Sequence, residues 1–350
     1  MNRKRLTLWL GLLGMAFSVA AHDFVVTQGG NKLYFDIKSK SEKTAEVVYK
    51  GSIAEKQVSE AVGDLEIPAK VRHDNVIYTV TGIKDKAFRD AVNLTGIILP
   101  STVKTIGDFA FEGCTALSKI VFPGSDVVFG QGVFYKCSVI KDVTLGSDWT
   151  KVNLEMFRWS DSLTSVLIPA KVKKIQNMKK LKALQRIEVD QNNARFSSVA
   201  GALYNKNQTE LYGCPRNYQG VLKIPEGTQT LTRGALVDCT NIVAVDFPAS
   251  LNYVSFRETS RMKKLERLVF RGEKPLVTAY RNGQECFVLQ VARQDVELLV
   301  PKQSKSVYKN ALVQQAGEFY EAKDGEAVPY KLTLEDMPLA KRVTGVKQFD

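Results

Sequence analysis

An apolar residue followed by proline recurs along the chain: Ile67-Pro68, Leu99-Pro100, Phe122-Pro123, Ile168-Pro169, Ile224-Pro225, Phe247-Pro248 and Val300-Pro301. Pro100 and Pro123 are 23 residues apart, and two further steps of 23 reach Gly146, after Leu145, and then Pro169. A second run of the same step joins Pro225, Pro248 and Arg271, the last following Phe270. Apolar side chains recur at fixed distances from these anchors. Six residues on stand Ile106, Phe129, Val152, Ile175, Leu231 and Val254. Eleven on stand Phe111, Phe134, Phe157 and Leu236, and twenty on Ile120, Val143, Val166, Val245 and Leu268. One such unit is too small to bury this face alone, whereas stacked units bury it against each other as a continuous core.

The stretch before each anchor, such as Ile140-Lys141-Asp142-Val143-Thr144-Leu145, alternates toward its end with the period of a half-buried strand. Neighbouring strands of this kind pair in parallel, and proline then ends the strand because it has no amide donor. The middle of the unit, Ile106-Gly107-Asp108-Phe109-Ala110-Phe111, reads as a tight turn or short helix crossing back. The expected fold is a β-rich α/β solenoid with one parallel strand per coil of 23 residues. Five cysteines are too few and too scattered for a disulfide framework. Cys114, Cys137 and Cys239 share one position, 14 residues past an anchor, which Ala183 and Met262 also occupy. That pattern reads as a buried ladder of small or soft side chains. A Cys114–Cys137 disulfide is the alternative.

The run Leu99-Pro100-Ser101-Thr102-Val103-Lys104-Thr105-Ile106-Gly107-Asp108-Phe109-Ala110-Phe111-Glu112-Gly113-Cys114-Thr115-Ala116-Leu117 resembles the BspA-like, or Treponema pallidum-type, leucine-rich repeat. Tyr78 to Ile83 leading into Ala87-Phe88 is similar to the opening of such arrays, and Val300-Pro301-Lys302 with Val307-Tyr308-Lys309 to their final repeat. The resemblance covers residues 30–320 and implies a leucine-rich-repeat solenoid in an exported, non-catalytic interaction protein. Three features depart from the pattern. Gly146 and Arg271 replace proline, the unit starting at Pro169 is two residues short between Ile175 and Ile187, and Lys180 stands where other units have an aromatic. An irregular unit is expected there.

Residues 1–21 read as a secretory signal peptide: Arg3, Lys4 and Arg5, an apolar run from Leu6, and a small-residue exit at Val19-Ala20-Ala21. Residues 22–60 read as a β cap, 61–320 as the solenoid with a hairpin insertion near 194–214, and 321–350 as a C-terminal tail. Lys302 to Tyr320 reads as partly helical. The implied location is secreted or cell-surface, with the periplasm as an alternative, and the mature chain has no expected membrane span. Removing the leader lowers the net charge from +12 to +9, which favours anionic partners at long range.

Reactive chemistry is sparse. Only His22 and His73 are available, no G-x-S-x-G elbow or phosphate loop is present, and no zinc-type His/Cys spacing occurs. No catalytic residue, cofactor or metal is therefore expected. Two surfaces remain. Outward positions of the strand face are Ile98, Lys119, Val121, Asp142, Thr144, Leu167, Arg267 and Val269, with Gly96, Ser165, Arg186, Glu188, Ala244 and Asp246 in the same rows. Lys171, Lys173, Lys174, Lys179, Lys180 and Lys182 form a basic coil suited to an anion or glycan. The expected partner is a protein or glycan at a cell surface or matrix, not a nucleic acid. The plainer readings are that β-branched residues favour strands and that lysine runs are solvated faces. A carbohydrate-handling envelope protein is the alternative function.

Overall fold

Each anchor is preceded by a short strand, and these strands pair in parallel as a first row. Val62–Glu66, Asn93–Ile98, Lys119–Val121 and Asp142–Thr144 form one sheet. Ser165–Ile168 pairs with Arg186–Val189. Gly220–Lys223, Ile242–Phe247, Arg267–Phe270 and Glu297–Pro301 form another sheet. Gly96 lies beside Lys119 and Lys119 beside Asp142, each a step of 23 residues. The step shrinks to 21 between Ser165 and Arg186, where the sequence is two residues short. The computed structural model describes residues 22–50, 59–122, 124, 126–255, 257–281, 284–286, 296–304 and 306–308, and the strand segments 317–323, 326–332 and 346–349. The expected signal peptide, 1–21, lies outside the described residues.

The stretch read as a turn or short helix is opened by a second strand that the sequence reading does not separate. Val76–Ile83, Thr105–Ile106 and Val128–Phe129 pair in parallel as a second row, as do Lys151–Asn153 and Lys174–Gln176. Strands of two or three residues are too short to show alternation, so only the apolar side chain six residues past the anchor marks them. After that strand the expected turn or short helix does follow, as turns at 108–113 and 131–136 and as 3-10 helices at Leu154–Phe157 and Met178–Lys180. The amides of Lys86, Phe88 and Asp90 donate to the carbonyls of Asp108, Ala110 and Glu112 in the next unit, at 2.7–3.0 Å. Those of Phe109, Phe111 and Gly113 donate one unit further, to Gln131, Val133 and Tyr135. The intervening amides of Ala87, Arg89 and Ala91 bond back within the turn. This division requires left-handed backbone at Lys86 and Asp90 (φ 60° and 55°), and again at Phe109 and Gly113 (φ 55° and 74°). Every other peptide group thus needs a neighbouring unit to complete its hydrogen bond.

Inside these ladders the aromatic positions line up. Phe88, Phe111, Phe134 and Phe157 are all buried and stack in sequence at centroid distances of 5.1, 5.4 and 5.5 Å. The cysteines run alongside as free thiols, so no Cys114–Cys137 disulfide is formed. The Cys114 thiol donates to the carbonyl of Phe88 (3.1 Å) and the Cys137 thiol to that of Phe111 (2.9 Å). The neighbouring Cys137 thiol and burial push the ionisation of Cys114 far up, which keeps it protonated.

At the N-terminal side Phe24–Gln28, Asn31–Ser39 and Thr44–Val48 form an antiparallel sheet. Its last strand extends the second row by pairing in parallel with Val76–Ile83. Buried Asn31 clamps this sheet to the first row through both backbone groups of Val62 (3.1 and 2.8 Å). Toward the C-terminus, a 3-10 turn at Lys302–Ser304 stands within the segment read as partly helical. Gly317–Lys323 pairs with Glu326–Leu332, and Val346–Phe349 extends the first row beside Glu297–Pro301.

The buried side chains fall into two clusters, one holding Phe111 and Phe134 and the other Phe247 and Phe270. They meet at the hairpin insertion, where Leu203 faces the first cluster and its neighbours Ala202 and Tyr204 the second. Replacing the central stacked ring, Phe111→Ala, is expected to destabilise the chain by about 3–5 kcal/mol, the usual cost of removing a buried phenylalanine. Denaturant unfolding followed by circular dichroism checks this, and a loss under about 1 kcal/mol would mean the ring packs loosely.

Candidate functional site

The first-row positions expected to face outward divide into three groups. Ile98, Val121 and Thr144 lie side by side, as do Lys119 and Asp142. Leu167 sits on a separate sheet beside Glu188, and Arg267 and Val269 on a third. Lys119, Asp142, Thr144, Leu167 and Arg267 are exposed, with Leu167 at 52%. Ile98, Val121 and Val269 are half-buried. Two charges are already engaged, since Arg267 pairs with Glu297 at 3.6 Å and Arg186 with Glu188 at 2.9 Å. Three positions differ from expectation: Gly96, Ala244 and Asp246 are buried. Asp246 accepts two bonds of 2.7 Å from the Arg271 guanidinium. Arg271 is the residue that replaces proline at its anchor, so the departure from the pattern supplies the counter-ion for a carboxylate drawn inward.

The second candidate is a cleft of about 520 Å³ where the aromatic column stops. After Phe157 the equivalent position is Lys180, which is exposed, and Met178 fills the interior instead. The shortened unit contributes Lys173, Lys174, Lys179 and Lys180 to the wall. The hairpin insertion, with strands Phe196–Val199, Ala202–Asn205 and Glu210–Gly213, contributes Arg195, Phe196, Leu203 and Tyr212. Its last strand pairs in parallel with Thr230–Leu231, which brings Thr232 and Arg233 to the rim. Ile175 and Met178 complete an apolar side and Asn177 a polar one.

Buried Asn193 sets the base of the hairpin. Its amide nitrogen donates to the carbonyls of Pro169 (2.8 Å) and Val172 (3.0 Å). Its side-chain oxygen accepts from the amides of Arg195 (2.9 Å) and Phe196 (2.8 Å). One fully satisfied side chain therefore ties the start of the hairpin to the segment after Ile168. The Phe196 and Tyr212 rings meet edge to face at 5.7 Å, and the Arg195 guanidinium sits 5.9 Å from the Phe196 ring. Burial, with help from Glu210, raises the ionisation of the Tyr212 hydroxyl, so the ring stays neutral.

Not every lysine of the basic coil joins this cleft. Lys171 is held by Asp148 at 2.5 Å, and Lys182 is exposed away from the lining. Lys179 donates to the Gly234 carbonyl. Arg195, Arg233, Phe196 and Tyr212 escaped the sequence reading because the insertion brings them in from other units. Nearby carboxylates have partners of their own: Glu155 accepts from Asn177 (3.1 Å), Glu210 from Thr232 (3.2 Å), and Asp238 pairs with Arg216 and Arg261. Among the described residues no cluster of His, Cys, Asp or Glu has the make-up of a metal site. No helix among them is long and apolar enough to cross a membrane.

Comparison with known proteins places the repeat. Residues 71–194 match the model of the BspA type leucine rich repeat region, in six copies. No curated protein matches the chain. Among solved structures it is similar to the pneumococcal vaccine antigen PcpA, at 16% identity over 83% of this chain and 96% of that one, with a TM-score of 0.43. It is similar to a leucine-rich repeat protein from Bacteroides ovatus, at 17% identity over 81% of each chain, with a TM-score of 0.41. The T. pallidum leucine rich repeat protein shares 18% identity over 63% of this chain and 85% of that one, with a TM-score of 0.35.

Asn193→Ala removes the side-chain end of four hydrogen bonds and strands the backbone carbonyls of Pro169 and Val172 and the amides of Arg195 and Phe196. The expected loss is about 2–4 kcal/mol by denaturant unfolding, from roughly 1–3 kcal/mol per orphaned buried group after partial relaxation. A neutral effect would show that the hairpin base is held by other contacts.

Proposed function

We propose that this chain, whose residues 71–194 are BspA-type leucine-rich repeats, is an exported, non-catalytic scaffold that binds a protein at a cell surface or matrix. In this reading its units wind as a solenoid with a pitch of 23 residues, and the first-row strand face carries the contacts. The observation that supports it is the register: Lys119 beside Asp142, and Val121 between Ile98 and Thr144, form a ladder of charged and apolar side chains at strand spacing. Such a surface is built from backbone pairing and not from loops, so its geometry is set before a partner arrives, which lowers the cost of association. Leu167, an exposed leucine on the next sheet, adds apolar area to this face. The leader read at residues 1–21 and the scarcity of nucleophile–base pairs agree with an exported binding role.

The test is solid-phase binding to a panel of matrix proteins, comparing the chain with a variant carrying Lys119→Glu, Val121→Lys, Leu167→Lys and Arg267→Glu. Binding is expected to fall by at least about tenfold, the equivalent of 1.4 kcal/mol. Lys119→Glu and Leu167→Lys, at exposed positions, should each change stability by no more than about 0.5 kcal/mol, and the melting temperature of the full variant is measured beside its binding. Undiminished binding by the variant would remove the strand face from the proposal, and intact cells whose chain resists external protease would remove the cell surface.

A further inference from the structure

We infer that the cleft between the shortened unit and the hairpin insertion is a separate binding site for a short saccharide bearing sulfate or phosphate esters. It lies at a different place from the strand face, and the inference does not require that face to bind anything. Three features of the cleft converge. Its volume of about 520 Å³ falls within the roughly 300–1,000 Å³ of sites that take small organic ligands. Lys173, Lys174, Lys180 and Arg195 line it and no carboxylate does; Glu155 and Glu210 reach only its edge, where they accept from the neutral side chains of Asn177 and Thr232. A water-facing cluster of like charges gains most when an oxyanion enters and accepts charge-assisted bonds from several of them.

The apolar side narrows the ligand class. Phe196 and Tyr212 stand at 73° to each other, so there is no parallel slot for a flat nucleobase to slip between two ring faces. A sugar ring instead offers C–H groups to an apolar wall and hydroxyl donors to the side-chain oxygens of Asn177 and Thr232, whose own N–H and O–H are directed at Glu155 and Glu210. An ester oxyanion on that ring then reaches the lysines. The device is also physically distinct from the lysine run alone. Without the insertion the lysines are a solvated face, and with it they share one concave wall with an aromatic pair.

The experiment is isothermal titration calorimetry of the whole chain with a sulfated disaccharide, its desulfated counterpart, a sugar phosphate and ATP. Binding is expected for the sulfated sugar or the sugar phosphate, whichever ester the cleft prefers, with desulfation weakening it at least about tenfold. Lys174→Glu with Lys180→Glu should abolish the signal, and Tyr212→Ala should weaken it several-fold. A control variant, Lys263→Glu with Lys264→Glu, changes two exposed lysines elsewhere and should bind as the parent does. Equal loss in the control would reduce the effect to general attraction by a basic surface. No binding of either ester, or tighter binding of ATP, would overturn the inference. Melting temperatures are measured for each variant, and the cleft variants at Lys174 and Lys180, being exposed, are expected to melt with the parent.

Discussion

The structure depends on one constraint: in the turns at residues 86–91 and 109–114 every other amide finds its acceptor only in the next unit. Lys86, Phe88 and Asp90 donate to a neighbouring unit, and Phe109, Phe111 and Gly113 to the one after it. A buried amide without an acceptor costs as much as a lost hydrogen bond, so no unit is stable unless another lies on it in register. The phenylalanine column and the thiol-to-carbonyl bonds of Cys114 and Cys137 fill the space that this register leaves. The same demand is visible where the repeat changes. The buried Glu258 carboxylate accepts from the amides of Gly234 and Leu236, standing in for carbonyls that a regular neighbour would supply.

Interruption of the column has consequences for the surface. A unit two residues short cannot carry the next phenylalanine, and Lys180 turns outward at that position. The hairpin insertion covers the exposed end of the first cluster with Leu203 and begins the second with Ala202 and Tyr204. Asn193 makes this junction possible, since it satisfies two carbonyls of one segment and two amides of the next. A concave, basic, partly aromatic wall is the by-product of that repair. The strand face is the opposite case, a surface produced by regularity and repeated at strand spacing.

Much of this was legible along the chain. The anchors and the aromatic positions predicted the parallel first row and the buried column, because the interior of a stack selects the same side chain each time. Gly146, Arg271 and the missing two residues marked the irregular places, and Arg271 proved to be the partner of Asp246. Two things were not legible. Strands as short as Thr105–Ile106 leave no alternation to read, and the left-handed residues that shape the turn include Lys86 and Phe109, types that do not advertise positive φ. The cleft was half-seen: the lysines are contiguous in sequence, whereas Arg195, Phe196 and Tyr212 come to them only through the pairing of the insertion with Thr230–Leu231.

The claim that successive units share one column is tested most directly by a double-mutant cycle. Phe111→Leu and Phe134→Leu, neighbours at 5.4 Å, should couple by about 0.5–1.5 kcal/mol, the range for stacked aromatic pairs. Phe111→Leu and Phe270→Leu, from separate clusters, should be additive within about 0.5 kcal/mol. Additivity at the first pair, or equal coupling at both, would contradict the account.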